Sequence, residues 1–330
     1  MFTLRFDMRA PASGAPPAVL YAAAPEMCAW AEEHGGIAAV FCEHHGSEDG
    51  YLPSPLLLAS AVAARTQRLA LSLILILPFY EPVRLAEDMA VLDILSGGRA
   101  SYILALGYRP EEFEHFGVAL SDRGRLADEK LALLRKLLAG ETVVHDGRRI
   151  MVTPRPHTTG GPGLMWGGGS VAAARRAGRY GLGLLANANV AGMQEAYEAA
   201  CRQHGHPPGP TLLPGRDHPS VVFVADHVEQ AWLELGDYLL HDARTYAAWN
   251  PGNQTSAGFS HVSTVAELRD ASASHVIISV PEAISRVRAG QVLNLAPLCG
   301  GLPPEVAWPY LKRVGDVVLP EALSEGKKSL

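Results

Sequence analysis

The 330-residue chain is short of positive charge: 28 Lys and Arg stand against 34 Asp and Glu, a net charge of −6 with histidine neutral. That deficit excludes a nucleic-acid binder working by phosphate neutralisation and a basic membrane-surface protein. Cysteine is scarce too. Cys28, Cys42, Cys201 and Cys299 are scattered, with no CxxC and no zinc spacing, so a disulfide framework is not expected and a reducing cytoplasm is the simplest home. Long apolar runs are also missing. Leu71–Leu77, between Arg68 and Glu81, is too short for a membrane span. Ala15–Ala24 superficially resembles a signal core, yet it follows a strand-like alternation and leads into an amphipathic helix, so export is not expected. The composition, 48% hydrophobic and 19% charged, is that of a globular protein.

What the chain does have is an alternation of strand and helix patterns almost from end to end. Phe2, Leu4, Phe6 and Met8 alternate with Thr3, Arg5, Asp7 and Arg9 as a first strand. Runs at Ile37–Cys42, Leu69–Leu77, Ala100–Leu106, Leu164–Gly167, Leu182–Ala186, Ser220–Ala225 and His275–Val280 supply seven more, Leu69–Leu77 being apolar on both faces as buried parallel strands are. Helical patterns lie between them: Ala18–His34 before Gly35-Gly36, a helix opened by Ser54-Pro55, Pro82–Leu95 before Gly97-Gly98, one capped at Ser121-Asp122, Ser170–Tyr180, Ala191–His204 and one capped at Asp226. Eight such units predict an α/β fold, a single (β/α)₈ barrel over residues 1–330. No repeat, charge block or low-complexity linker divides it. Two long loops, Gly205–Pro219 and Asn250 to about Val265, are each a lid or a disordered insertion.

In a barrel the chemistry sits at the C-terminal ends of the strands. There the sequence places Asp7 and Arg9, Glu43-His44-His45, Pro78–Tyr80, Gly107–Arg109, Trp166–Ser170 and Asn187–Asn189. A histidine there can exchange protons near neutrality. Since side chains alternate along an extended chain, His44 and His45 should point apart, and His44 is the one expected to face a substrate. The competing readings are a metal site, with Glu48 and Asp49 as further ligands, and a structural histidine. Gly167-Gly168-Gly169-Ser170 opens a helix, where glycines admit close approach and free amides favour an anion. Gly168, Gly169 and Ser170 therefore read either as a phosphate cradle or as a tight turn with a serine cap. Arg109 reads either as a phosphate contact or as an ion-pair partner of Glu111 or Glu112. Trp166 and Tyr108, with the third strand, offer an apolar wall to a flat cofactor or are simply core. The remaining histidines, His204, His206, His218, His241 and His261, read as mostly solvated.

These residues, in this order, resemble the bacterial luciferase-like monooxygenase family. The resemblance is carried by Glu43-His44-His45, Ala86-Glu87-Asp88 to Asp93, Leu95–Arg99, Gly107–Phe113 through Gly117, Thr153–Pro156, Trp166–Ser170 and Pro281-Glu282. It implies an oxidoreductase on a TIM barrel that binds reduced FMN or the deazaflavin F420, with the phosphate at Gly168–Ser170 and the motif histidine at His44. It also implies a non-prolyl cis peptide near Leu73-Ile74, behind the flavin ring, and a homodimer formed by helices near strands two and three. A small organic substrate, dioxygen and a separate flavin reductase complete the leading expectation; F420-dependent hydride transfer and a non-catalytic flavin binder are the alternatives. Leu106 stands where bacterial luciferase has arginine, leaving Arg109 as the phosphate arginine, and Gly46 stands where an aromatic residue is usual. Both departures argue against light emission.

Overall fold

The computed structural model describes residues 1–324 apart from 187, 189, 215–217, 254, 257 and 272. The first third reads β1 Phe2–Phe6, α1 Pro17–Glu33, β2 Gly36–Phe41, α2 Pro55–Arg65, β3 Ala70–Ile76, α3 Pro82–Ser96 and β4 Ala100–Ala105. Then follow α4 Pro110–His115, α5 Arg123–Leu138, a hairpin of β5 Val143–His145 and β6 Arg148–Ile150, β7 Gly163–Gly167, α6 Val171–Tyr180 and β8 Gly183–Leu185. The remainder is α7 Met193–Gln203, β9 Thr211–Leu212, β10 Val221–Ala225, α8 Val228–Trp249, α9 Val265–Ala271 and β11 His275–Ser279. It finishes with α10 Val280–Arg288, β12 Leu293–Leu295, α11 Pro304–Arg313 and α12 Leu319–Ser324. Among the described residues no helix is long and apolar enough to cross a membrane.

The main sheet is parallel throughout and ordered β12-β1-β2-β3-β4-β7-β8-β9. It curls with helices outside, as the alternation predicts. In β3, Leu71, Leu73 and Leu75 are fully buried, while Ala70, Ser72 and Ile74 are only partly so. The leucines pack under the helix layer, each contributing about 1.5–3 kcal/mol of burial. The other set lines the hollow of the sheet, where Ser72 and Ser101 share a hydrogen bond of 3.3 Å. Gly97 closes α3 in the left-handed conformation at φ 63°, the conformation only glycine adopts freely.

Three expectations need correction. The runs read as strands seven and eight form a parallel pair of their own, β10 with β11. The sheet positions beside β8 and β1 belong to the two-residue β9 and three-residue β12, too short to leave a periodic signal. The expected cis peptide near Leu73-Ile74 is absent. Leu73 and Ile74 continue the regular ladder opposite Tyr102 and Ile103, and among the described residues the cis bond is Thr153-Pro154. Neither aspartate cap forms: the Asp122 carboxylate turns to Arg125 instead of capping α5, and that of Asp226 pairs with Arg313 instead of capping α8.

A buried ion cluster ties β1 to α8. Asp242, fully buried on α8, accepts from Arg9 Nε (3.0 Å), Arg5 Nη2 (3.0 Å) and His275 Nε2 (2.9 Å). Arg9 reaches Asp49 through Nη1 at 2.6 Å. Between the arginines, Met8 sits in the left-handed region at φ 60°. That uncommon conformation for a side-chain-bearing residue is held from both sides: the Arg9 amide donates to the Asp7 carboxylate and the Leu52 amide to the Asp7 carbonyl. Asp242, His275 and Cys299 also bring possible metal-ligand atoms within 4.8 Å of one another, but the two arginines already occupy the Asp242 carboxylate. Burial and the nearby Asp242 charge push the Asp7 carboxyl up to about 6, against the pull of Arg5 and Arg9. Burial opposes the charge of Asp242 too, but Arg5, His275 and Arg9 outweigh it and hold its pKa well below the usual carboxylate range.

Removing one partner of such a group strands the others. Asp242→Ala is expected to destabilise the protein by about 3–5 kcal/mol, measured as a lowered urea midpoint.

Candidate functional site

β2 ends where the chain turns out of the sheet at Cys42–His45, and each polar residue of that turn has its own task. Glu43, buried, accepts from the Ile76 amide (2.6 Å) and the Tyr80 hydroxyl (2.7 Å), fastening the end of β2 to that of β3. It also binds His45 Nε2 at 2.9 Å. The His45 ring lies against Phe79 and Phe116, and the three line an open cleft of ≈ 920 Å³. The His44 ring meets different side chains, as the alternation along the chain requires.

The His44 imidazole, 8% exposed, is oriented from α4, the short helix after β4. Its Nδ1 lies 2.8 Å from Glu112 Oε1, and the same oxygen accepts from the His45 amide at 2.8 Å and Arg109 Nη1 at 3.2 Å. A carboxylate there requires the proton on Nδ1 and leaves the Nε2 lone pair toward the Tyr108 hydroxyl, 3.3 Å away. Burial lowers the His44 pKa; Glu112 opposes this, and Arg109 and Arg9 add to the lowering. Burial alone would raise the Glu112 pKa, but its bonds from His44, His45 and Arg109 hold it below the ordinary value. Burial pushes the Tyr108 hydroxyl up to about 12, so it remains a donor. The result is a neutral imidazole with a fixed tautomer, able to accept a proton at Nε2.

Around His44 stands an aromatic wall. Tyr51, from the loop after β2, and Tyr246 and Trp249, from the last turns of α8, present rings 4.9, 6.3 and 4.8 Å from the imidazole. Tyr51 and Tyr246 join hydroxyl to hydroxyl. The Arg9 guanidinium lies behind them, 4.7 Å from Tyr51 and 4.8 Å from Tyr246. One face of α8 thus carries both Asp242 and the wall, since residues 242, 246 and 249 recur at helical spacing.

The remaining sequence-predicted residues divide. Tyr108 and Arg109 join His44, but Arg109 spends its bonds on the His45 carbonyl (2.9 Å) and Glu112, so its ion-pair reading is realised, and inside the protein rather than on the surface. Leu73 and Trp166 face the wrong way for a cofactor wall. Both are fully buried, and Arg176 of α6 lies over the Trp166 ring. At the head of α6, Ser170 Oγ caps the Ala173 amide and Gly168 donates to Leu185, while Gly168 and Gly169 stay partly open. The metal alternative finds no shared centre among the described residues: Asp49 is taken by Arg9 and His241, and His44 by Glu112. His241, expected in solvent, makes that bond to Asp49 at 2.8 Å. Asn187 and Asn189 lie outside the described residues. Sequence reasoning missed Tyr51, Tyr246, Trp249 and the part Glu112 plays. The 242/246/249 spacing on one helix face was the available signal for two of them.

A family model described as luciferase-like monooxygenase matches residues 4–279. The 4-hydroxyprotoasukamycin monooxygenase of Streptomyces nodosus subsp. asukaensis is 30% identical over 166 residues, 47% of this chain and 44% of that one. The chain spans about half or less of the length of the curated relatives it matches. Among solved structures, the monooxygenase RslO1 from Streptomyces bottropensis superposes with a TM-score of 0.74 at 22% identity, over 97% of this chain and 99% of that one. The oxygenating constituent of 3,6-diketocamphane monooxygenase from Pseudomonas putida, in complex with FMN, gives 0.72 at 18% identity, over 97% of each chain. At these identities the structural likeness speaks for the fold.

The His44 geometry fixes a titration. With its folded pKa below the unfolded value of about 6.5, the stability contributed by neutral His44 is complete above that value. It is lost as pH falls from there toward the folded pKa. Proton–nitrogen correlation spectra are expected to show His44 protonated on Nδ1 and titrating below 6.5. Glu112→Gln should lower that pKa further, because the carboxylate that raises it is gone.

Proposed function

The chain belongs to the luciferase-like monooxygenase family, and from that premise we propose that it is an oxidoreductase, a flavin-dependent monooxygenase. In this reading it takes reduced FMN from a separate flavin reductase and uses dioxygen to oxidise a small organic substrate. The observation that carries the proposal is the neutral His44 imidazole, aligned between Glu112 and Tyr108 at the C-terminal end of β2, where barrel enzymes keep their chemistry.

The residues present fit the flavin. A Cβ on Gly168 would stand 2.8 Å from that of Ala173, so glycine lets the turn pack closely on the head of α6, whose leading amides favour a phosphate. Gly168, Gly169 and Ser170 would hold that phosphate; Ile74, on the hollow side of β3, and Tyr108 would flank the ring. Bound there, reduced FMN supplies the activation of oxygen. His44 Nε2 accepts and returns the proton that the substrate exchanges, Glu112 holds the tautomer, and Tyr108 donates a hydrogen bond. Before substrate binds, Tyr51, Tyr246 and Trp249 keep water from His44, which strengthens each polar contact inside. Arg109 acts on His44 through Glu112.

The same reading includes a homodimer and a cytoplasmic location; free, buried cysteines suit the latter. Leu57 on α2 is 74% exposed, and Val91, Ile94 and Leu95 on α3 are exposed as well. Neighbouring apolar side chains of this kind are suited to a second copy of the chain. Leu57→Asp combined with Val91→Asp is expected to yield monomers in sedimentation equilibrium, whereas a wild type that is already monomeric removes the dimer from the proposal.

Anaerobic titration with reduced FMN and, separately, reduced F420 tests the cofactor. Saturable binding of FMN is expected. Binding of F420 alone replaces oxygenation with hydride transfer, and binding of neither ends the flavin reading. His44→Ala is expected to reduce turnover by about 10²–10⁴-fold with FMN affinity retained. Full turnover in that variant would remove His44 from the chemistry.

A further inference from the structure

Trp249, the last residue of α8, occupies an unusual position for an indole: it is held against three basic groups. The Arg109 guanidinium carbon lies 4.0 Å from the ring centroid, that of Arg9 4.5 Å, and the His44 ring centre 4.8 Å. Aromatic faces attract cations, which explains why the ring rests there. It does not explain the hydrogen bonding. Among the described residues, Arg9 Nη2 and Arg109 Nε are buried without an acceptor, on side chains that are 0% and 7% exposed. A ring face contributes no oxygen lone pair, so two donors at the same ring stay unsatisfied, which folded proteins avoid.

The charge balance narrows what would satisfy them. Arg9 is already paired with Asp49 and Asp242, and Arg109 with Glu112. The place therefore offers N–H donors but no spare positive charge. A full anion would meet those carboxylates without a free cation to offset them, whereas a carbonyl oxygen on a neutral ring would accept from either donor.

We propose that Trp249 stands in, in the free protein, for the ring of the substrate, and that the substrate class is a neutral, planar ring system of at least indole size bearing carbonyl oxygen. The proposal rests on the reading of His44 as the reaction centre. On binding, the substrate ring takes the place between Arg9 and Arg109 beside His44, its carbonyl accepts from the unpartnered arginine nitrogens, and the indole moves out. The final helical turn carries that movement. Trp249 is its last residue, and Asn250 after it is held by its amide to Ala247 and by its side chain to the Tyr246 carbonyl.

Calorimetric titration of the full chain with three bicyclic probes tests this: chromone (neutral, with a carbonyl), naphthalene (neutral, no oxygen) and naphthoate (anionic). Trp249→Ala is expected to bind chromone about tenfold more tightly than wild type, with Trp249→Phe in between. Naphthalene and naphthoate should each gain less than about threefold. An equal gain for naphthalene marks a merely apolar cavity and overturns the proposal, as does a larger gain for naphthoate or no gain for chromone. Circular dichroism checks that each variant is folded, and Trp249→Phe, which keeps a ring, carries the test if Trp249→Ala does not fold. Reduced FMN is titrated into the same samples. Loss of FMN binding with the chromone gain intact sinks the flavin reading alone; FMN binding with no chromone gain sinks this one alone.

Discussion

The architecture hangs on the carboxylate of Asp242, caught between two arginines of the first strand region and a histidine of β11. Burying any one of these charges alone would cost several kcal/mol, so none of them is free to be elsewhere once the chain is compact. The cluster fixes three things at once. It brings α8 against the end of β1, it holds Arg9 behind the aromatic wall, and through Arg9 it locks Asp49 and the loop after β2. Tyr51 belongs to that loop, and Tyr246 and Trp249 belong to α8. The surroundings of His44 are therefore assembled from segments some 200 residues apart in the chain, joined by a few desolvated charges rather than by neighbouring strands.

Much of the barrel was legible because β1 alternates cleanly, β2, β3, β4 and β7 are strands of five to seven residues, and the three-residue β8 lies inside the apolar stretch Leu182–Ala186. The failure came where periodicity has nothing to measure. β9 and β12 have two and three residues, while the longer runs at β10 and β11 are apolar enough to pass for barrel strands yet pair with each other. Apolar runs report burial and are silent about the partner.

The site was legible to a similar depth. His44 stands out as a histidine at a strand end, and a period of two along the chain separates it from His45. The same parity applied to Leu73 and Trp166 puts both into the helix layer, and counting from the buried Leu71 and Leu75 gives that answer for Leu73. Glu112 was visible only as a neighbour of Arg109, since nothing local says that the short α4 will reach across to the end of β2. The α8 contributions were hidden for a different reason: one stripe of that helix is acidic at one end and aromatic at the other, so it resembles neither an apolar core face nor a solvated one.

Seven residues separate Asp242 from Trp249, two turns of about 5.4 Å each, and that interval has a mechanical meaning. The inner end of the stripe is anchored by ions inside the protein, and the outer end is the terminal turn, the part of any helix that opens most readily. Local opening at Trp249 therefore leaves the anchor untouched. The chain can uncover the His44 imidazole at the expense of one helical turn, with no hinged domain and no loosening of the barrel, and its access and its rigidity are graded along a single element.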